Sequence, residues 1–443
     1  MRTILNKPLL PSPFALAILL SVFAYAVAYF QTAPASSDNS TPYAIQLLLF
    51  WEKGFWELLD FSMQMMLILI LGHVLALSAP VHRLIVRLTR LCTNGSVAVA
   101  YIALFTCVVA LFNWGLGLIF GAIFARMAGE KALKEGWKLN YPLAAAAAYS
   151  GMMIWHGGLS GSAPLKVAEA GHFLEQLTGI IPLRDTVFSA MNISSSLMFV
   201  LLIPLFFRAL GKFLPAKPYT LEPFQFKTQS ATFDGAEKID NSRLLGTSIG
   251  LVFLFVAFWK LYLAPQSWMY QFTPNFLNWL LLGLCFLLHG SLYELNQATE
   301  SAMRDGAGIL IQFPLYAGIM GIVKYSGLVE QLSDSFVMMA STDTLPFLTF
   351  WSASIINIFV PSGGGQWIVQ GPIVVEAAIQ MGTSVPKAVM ALAYGDQLTN
   401  MIQPFWALPL LAITGVKGKD ILPYSAALMV LGFCIISLVL WMF

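Results

Sequence analysis

Long apolar stretches recur along the whole of this 443-residue chain. About 20 apolar residues in an α-helix span the ~30 Å hydrocarbon core of a bilayer, so each stretch of that length is a candidate crossing. Candidate crossings fall at about 12–31, 61–79, 141–177, 186–210, 243–264, 275–290, 306–324, 385–415 and 420–443. The pattern therefore predicts an all-α polytopic membrane protein.

Two further apolar stretches, 96–127 and 344–381, are too long for one helix. Each is interrupted near its middle, the first at Asn113-Trp114-Gly115 and the second at Pro361–Gly365. Broken backbone is tolerated at membrane depth only inside protein or beside a wet cavity. Each stretch therefore predicts a re-entrant hairpin.

Composition agrees with a membrane protein, because 58% of the residues are hydrophobic and only 10% are charged. Globular domains carry about 25% charged residues. The net charge of +2 gives no indication of a nucleic-acid partner. The cysteines are far apart, which argues against a disulfide framework or a zinc site, and we expect no cofactor.

The basic residues predict the orientation of the chain. Cytoplasmic loops of membrane proteins are rich in Lys and Arg. With the N-terminus cytoplasmic and 96–127 re-entrant, 18 of the 24 basic residues lie on the cytoplasmic side. If 96–127 crossed once, the basic cluster at 126–138 would be external, so the charges favour the hairpin.

Two segments of the sequence are similar at a fixed spacing. Residues 148–165 and 393–410 both open with Ala-Tyr and close with Pro-Leu, at an offset of 245. The interrupted stretches repeat the same spacing, because Asn113 and Asn357 are 244 residues apart. Asp60 and Asp305, each placed before a predicted crossing, are 245 apart, and together these matches predict a duplicated unit.

We therefore predict membrane repeats at 1–210 and 243–443, joined by a cytoplasmic linker at 211–242. Each repeat has a re-entrant hairpin and a broken transmembrane helix. An odd number of passages separates them, so they are inverted repeats, as in secondary transporters whose substrate site lies where discontinuous helices meet.

Polar and glycine residues at the four breaks are the candidate binding site. Glycines leave backbone N–H groups uncovered, and a helix N-terminus favours a carboxylate. Helix packing is the alternative role for the glycines, and a satisfied structural residue is the alternative for the histidine. The candidate substrate-binding residues are Asn113, His156, Gly157, Gly158, Ser160, Ser162, Asn357, Ser362, Gly363, Gly364, Gly365, Gln366, Thr399 and Asn400.

Asp396 is an acidic residue inside a predicted crossing, which is rare and favours a functional role. With Gln397 it could hold a coupling ion, either a proton or sodium. A helix cap is the alternative. The breaks contain no Arg clamp, although Lys166 follows the first broken helix and could supply positive charge.

The segments at 153–165, 361–372 and 394–411 resemble those of the bacterial short-chain fatty acid transporter family. The resemblance extends over nearly the whole chain. It implies uptake of monocarboxylates such as acetoacetate or butyrate across the inner membrane. It also implies a transport domain of paired hairpins and broken helices, as in the ion transporters with which the family is grouped.

Cation coupling is expected on physical grounds. Moving an anion into a negative-inside cell is unfavourable by about 2.3 kcal/mol per charge per 100 mV, and a co-transported cation cancels this. A sodium/proton antiporter is the first alternative, and an intramembrane enzyme using His156 with Ser160 or Ser162 is the second. Besides the substrate and membrane lipid, the sequence leaves a homodimer open.

Overall fold

The computed structural model describes residues 13–32, 41–217, 219–221, 233–263, 271–403 and 406–443. These residues form no strand and the chain is 80% helical, which confirms the predicted all-α class. The helices in chain order are α1 (Pro13–Gln31), α2 (Tyr43–Glu57), α3 (Leu59–Ala76), α4 (Ala79–Thr89), α5 (Gly95–Phe112), α6 (Trp114–Glu135), α7 (Tyr141–Tyr149), α8 (Ser162–Val167), α9 (Glu175–Thr178), α10 (Ala190–Phe213), α11 (Glu237–Asp240), α12 (Arg243–Tyr262), α13 (Pro274–His289), α14 (Leu292–Tyr325), α15 (Leu328–Met339), α16 (Leu345–Phe359), α17 (Gly363–Gln380), α18 (Val385–Thr399), α19 (Leu408–Thr414) and α20 (Gly418–Met442).

Both predicted hairpins are helix–break–helix elements. The first consists of α5 and α6, which pack on each other and are separated by Asn113 in extended backbone. The second consists of α16 and α17, separated by residues 360–362. The polar residue before each second helix caps it, because Asn113 Oδ1 accepts from Leu116 N–H and Ser362 Oγ accepts from Gly365 N–H.

Both predicted broken helices are also present. The first ends as α7 at Tyr149, continues through 3₁₀ turns at Ser150–Met153 and Trp155–Gly157, and restarts as α8. The second runs from α18 through a 3₁₀ turn at Asn400–Ile402 to α19. Tighter 3₁₀ turns within a helix are typical of strained or functional segments. Residues 404 and 405 lie outside the described part of the chain.

Several helices are long and apolar enough to cross a bilayer. Among the described residues, five helices have at least 18 residues and an apolar window of that length: α3, α5, α10, α12 and α20. Shorter apolar helices include α13 and parts of α1, α14 and α16. The protein is therefore a multi-pass membrane protein.

The crossing predicted at 306–324 lies in a much longer helix. α14 has 34 residues, about 50 Å at 1.5 Å per residue, so it is longer than the hydrocarbon core is thick. Asp305 lies inside this helix, whereas Asp60 lies in the first turn of α3. The two acidic residues therefore do not mark equivalent helix starts, because the polar residues before Asp305 continue the helix rather than interrupt it.

Contacts divide the chain into two compact units. Unit 1 comprises Met1–Met66, Phe173–Gly179 and Ala307–Asp396, and unit 2 comprises Leu67–His172, Ile180–Gly306 and Gln397–Phe443. In unit 1, α15 and α16 pack on α17, and in unit 2, α5 packs on α6 and α10. These units are defined by contacts, whereas the predicted repeats are defined by sequence similarity, so the units do not test the repeats. The repeat boundaries and the linker at 211–242 stay predictions.

Candidate functional site

In unit 2, the first hairpin tip lies directly against the first broken helix. Trp114 N–H donates to Ser160 Oγ at 3.0 Å, and the Trp114 and Trp155 rings lie 5.6 Å apart. Gly158 lies so close to Leu111 that a Cβ on this glycine would be 2.8 Å from the Leu111 Cα. The glycine at 158 is therefore required for close backbone approach.

The second broken helix joins the same cluster. Tyr149 Oη donates to the carbonyl oxygens of Asn400 and Gln403, at 2.7 and 3.1 Å. The Trp406 ring meets the Trp114 ring edge-on, with centroids 5.3 Å apart. Three of the four breaks predicted from the sequence therefore meet inside unit 2, and tyrosine and tryptophan side chains join them.

Both the oxygen and the nitrogen of the Asn113 side-chain amide form hydrogen bonds with backbone groups. Its Oδ1 accepts from Leu116 N–H at 2.7 Å, and its Nδ2 donates to the Ile68 carbonyl at 3.2 Å. Gly72 on α3 leaves the space that the amide occupies, because a Cβ there would collide with Asn113 Oδ1. Of the first three N–H groups of α6, those of Trp114 and Leu116 donate to side-chain oxygens. The third, that of Gly115, donates to no protein group in the described chain.

His156 stabilises the restart of the broken helix. Its Nε2 accepts from Ala163 N–H at 3.2 Å, in the first turn of α8, and its ring stacks on Trp155 at 4.4 Å. This hydrogen bond satisfies one of the backbone N–H groups that the helix start leaves without an intrahelical partner. Asn192 fills the space beside Gly157 and donates to the Gly157 carbonyl at 2.8 Å. The remaining predicted residues of unit 2 are all buried: Ser162, Gln397, Thr399 and Asn400.

The second hairpin tip, in unit 1, is less completely satisfied. Ser362 Oγ accepts from Gly365 N–H at 3.2 Å, and the Ser362 carbonyl accepts from Gln366 N–H at 2.7 Å. Within the described residues, the N–H groups of Gly363 and Gly364 donate to no protein group. These two donors begin an 18-residue helix whose first turns are buried. A helix start of this kind favours an anion.

Aromatic side chains from α14 enclose this tip. A Cβ on Gly364 would lie 2.6 Å from the Phe313 ring, and one on Gly365 would lie 2.6 Å from the Tyr316 ring. Tyr316 Oη and Trp367 Nε1 are buried, and neither has a hydrogen-bond partner in the part of the chain described. Buried polar atoms are nearly always paired, so the Tyr316 hydroxyl, whose ring packs on Gly365, and the Trp367 indole are both candidate donors to an acceptor.

Asp396 lies with Asn357 in unit 1. The Asp396 side chain is fully buried, and Asn357 Nδ2 donates to the Asp396 carbonyl at 2.7 Å. α18 approaches α16 closely here, because a Cβ on Gly395 would lie 2.5 Å from the Phe350 carbonyl oxygen. Gln366 donates to the Ala353 carbonyl at 2.8 Å, which leaves its buried Oε1 without a partner in the described chain.

No group of three or more His, Cys, Asp or Glu side chains in metal-binding proximity occurs among the described residues. Gln397 follows Asp396 directly in the chain, and its buried Oε1 is unpartnered within the residues described.

Comparison with known proteins gives the family. A family model described as "Short chain fatty acid transporter" matches residues 1–443. The chain belongs to the short-chain fatty acid transporter family. A relative from Escherichia coli (strain K12), named for short-chain fatty acid transport, is 37% identical over 94% of this chain and 92% of its own length. One of the same name from Haemophilus influenzae (strain ATCC 51907 / DSM 11121 / KW20 / Rd) is 35% identical over 99% of this chain and 95% of its own length.

The fold of this family member is similar to that of solved transporters. The YdaH transporter of Alcanivorax borkumensis, described as having an unusual topology, matches with a TM-score of 0.60 at 15% identity, over 98% of both chains. MtrF of Neisseria gonorrhoeae matches with a TM-score of 0.55 at 14% identity, over 98% of this chain and 96% of its own. At such low identity these matches concern the fold alone, and they agree with the predicted fold class.

The sequence pattern did not predict two structural features of this family member. Tyr316 carries a buried hydroxyl at the second tip, but in the sequence it is one aromatic residue in an apolar run. Lys166, considered as a source of positive charge, is paired with Glu169 at 2.6 Å, and both side chains are nearly buried. This carboxylate offsets the lysine charge, and Asn275 also donates to it at 3.1 Å.

We expect Tyr149→Phe to destabilise the family member, because the change removes the hydroxyl that joins the two broken helices. Loss of a buried hydrogen bond costs about 1–3 kcal/mol, so the apparent melting temperature of the purified protein should fall. Tyr101→Phe is the matched control, since no hydrogen bond of its hydroxyl occurs in the described chain. An equal melting temperature in both variants would contradict the role given to Tyr149.

Proposed function

We propose that this chain is a secondary transporter that carries short-chain monocarboxylates, resembling acetoacetate or butyrate, into the cell. It would lie in the bacterial inner membrane with its N-terminus in the cytoplasm. Membership of the short-chain fatty acid transporter family supports the substrate class. The observation that carries the proposal is the pair of open N–H donors at Gly363 and Gly364, at the buried start of α17.

A carboxylate fits these donors chemically. Its two oxygens would accept from the backbone N–H groups of Gly363 and Gly364. The buried hydroxyl of Tyr316, whose ring packs on Gly365, is the proposed third donor. Charge-assisted hydrogen bonds of this kind are about twice as strong as neutral ones. The helix start adds favourable positive potential. These donors replace the arginine clamp that the sequence lacks.

The remainder of a short fatty acid is apolar, and the same tip offers apolar surface. The rings of Phe61 and Phe313 lie 6.1 Å apart beside Gly364. Burial of each methylene group contributes about 0.8 kcal/mol. A short acyl chain packed against these rings would therefore increase the affinity. In this binding mode the carboxylate contacts the N–H donors and the acyl chain contacts the aromatic rings.

Asp396 is the proposed site of the coupling ion, with Gln397 as a neighbouring ligand. Its buried carboxyl can take a proton or, as a carboxylate, attract sodium, and either cation would offset the charge of the substrate. The Asn357 contact with the Asp396 backbone would hold this part of α18 in place. Coupling by symport explains how the anion can enter against the membrane potential.

Uptake of labelled butyrate into proteoliposomes tests the proposal. Sodium and proton gradients should be imposed separately, and accumulation above equilibrium under one of them is the expected result. Protein-free liposomes are the control. No uptake, together with dissipation of one gradient by the other ion, would support a sodium/proton antiporter instead. Substrate turnover without vectorial uptake would support an intramembrane enzyme.

We expect Asp396→Asn to abolish concentrative uptake while leaving membrane insertion intact. The amide keeps the size of the side chain but neither titrates nor carries the charge that attracts sodium. Asp343→Asn, on an exposed turn of unit 1, is the matched control and should accumulate substrate normally. Accumulation by Asp396→Asn at the wild-type level would remove this carboxyl from the coupling mechanism.

Tyr316→Phe tests the hydroxyl at the second tip. The ring remains to pack on Gly365, so folding should be preserved, whereas one donor to the carboxylate is lost. A hydrogen bond to a charged group contributes about 1.5–3 kcal/mol, which corresponds to at least a tenfold rise in the KM for butyrate uptake. The exposed Tyr262→Phe serves as the control. An unchanged KM would exclude Tyr316 from the binding site.

A further inference from the structure

A cavity lies in unit 2, away from the helix breaks. It has a volume of about 640 Å³ and lies where α5 begins, α6 ends and α10 ends. Its apolar wall includes Val99, Leu143 and Leu214, and its polar wall includes Lys138, Lys217 and Asn140. Ligand sites commonly have volumes of about 300–1,000 Å³, so this cavity is large enough for a ligand.

The walls of the cavity are fixed by close packing and hydrogen bonds. A Cβ on Gly211 would lie 2.9 Å from Ser96 Cα, so α10 and α5 approach closely at this point. Asn140 Nδ2 donates to the Pro215 carbonyl at 3.1 Å and to Tyr424 Oη at 3.2 Å. The chain after α10 is therefore held in place, and the cavity is a built feature of the fold.

Tyr219 fixes another part of the wall. Its ring stacks on Tyr141 at 4.6 Å with an interplanar angle of 16°, and its hydroxyl donates to the Gly129 carbonyl at 2.8 Å. Both contacts reach α6 and α7, which lie beside the cavity. A stacked and hydrogen-bonded aromatic ring presents a rigid surface, which reduces the entropy lost when a ligand binds.

The cavity is positively charged on its polar side. Lys138 and Lys217 both line it and are exposed, and the described lining residues include no Asp or Glu. The acidic residue nearest in the chain, Glu135, is 3.8 Å from Lys131 and accepts from the Trp137 indole at 3.1 Å. The two cavity lysines therefore favour an anionic ligand.

The surroundings favour an amphiphilic anion over a small soluble one. Phe213, at the end of α10, is 85% exposed, and Leu133 at the cavity is 49% exposed. Exposed apolar side chains beside a basic cavity match the acyl chains and phosphate of a phospholipid. The basic loops predicted to be cytoplasmic include these lysines, and basic pockets between helices on that side bind anionic lipid headgroups.

We propose that this cavity binds the headgroup of an anionic phospholipid, with its phosphate between Lys138 and Lys217 and its acyl chains toward Phe213. The aromatic and apolar walls would enclose the glycerol region. The site shares no residue with the carboxylate donors of the second hairpin tip, so the proposal does not depend on the proposed transport activity. Bound lipid would stabilise unit 2 by mass action.

The test uses the full-length purified protein and measures lipid binding by native mass spectrometry and by thermal stabilisation. Phosphatidylglycerol is the probe, and phosphatidylcholine and inorganic phosphate are the comparison ligands. We expect phosphatidylglycerol to bind at least fivefold more tightly than phosphatidylcholine. We also expect the Lys138→Gln/Lys217→Gln double variant to lose that preference. The double variant Lys238→Gln/Lys260→Gln, which removes two exposed lysines outside the cavity, should keep it.

Three outcomes would overturn the proposal. The first is equal affinity for the two lipids, and the second is an undiminished preference in the cavity double variant. The third is stabilisation by inorganic phosphate equal to that by phosphatidylglycerol, which would make this a site for free phosphate. The charge-retaining variant Lys138→Arg/Lys217→Arg should preserve the preference, and it keeps the test decisive if the glutamine variant does not fold.

Discussion

The structure depends on how backbone hydrogen bonds are satisfied where transmembrane helices stop inside the protein. Each helix start exposes N–H groups that have no intrahelical partner, and inside a bilayer no bulk water can accept from them. The chain meets this constraint with short polar side chains at the breaks. Asn113, Ser160 and Ser362 each accept from a backbone N–H at a break. At Gly363 and Gly364 no described protein group does so, and there we propose that the substrate carboxylate accepts.

The two hairpin tips meet this constraint differently. At the first tip, Ser160 and Asn113 accept from two of the first three helical N–H groups, and tryptophan rings pack around them. At the second tip, Ser362 caps only the third, and Tyr316, whose ring packs on Gly365, has a buried hydroxyl with no described partner. The first tip therefore leaves one of these three N–H groups without a protein acceptor, and the second leaves two.

Glycine at these breaks serves close approach more than flexibility. Gly158, Gly364 and Gly395 lie against a backbone or an aromatic ring at distances that leave no space for a side chain. Small residues let helix backbones approach closely. This close packing stabilises helix association in membranes, where the hydrophobic effect does not drive helices together. The packing and binding roles of these glycines are therefore compatible, since the aromatic rings that exclude a Cβ also enclose the donors at the second tip.

The sequence by itself determined the class, the number of breaks and their positions, because apolar length and interruptions such as Asn113 and Ser362 are local properties of the chain. Its motifs at 153–165, 361–372 and 394–411 also indicated the family. Only the tertiary structure decided what each polar side chain contacts. It made His156 an acceptor for the Ala163 N–H, paired Lys166 with Glu169, and placed the Tyr316 ring against Gly365. These outcomes depend on which distant segments pack together, and hydrogen bonding between such segments is set by three-dimensional proximity rather than by sequence spacing.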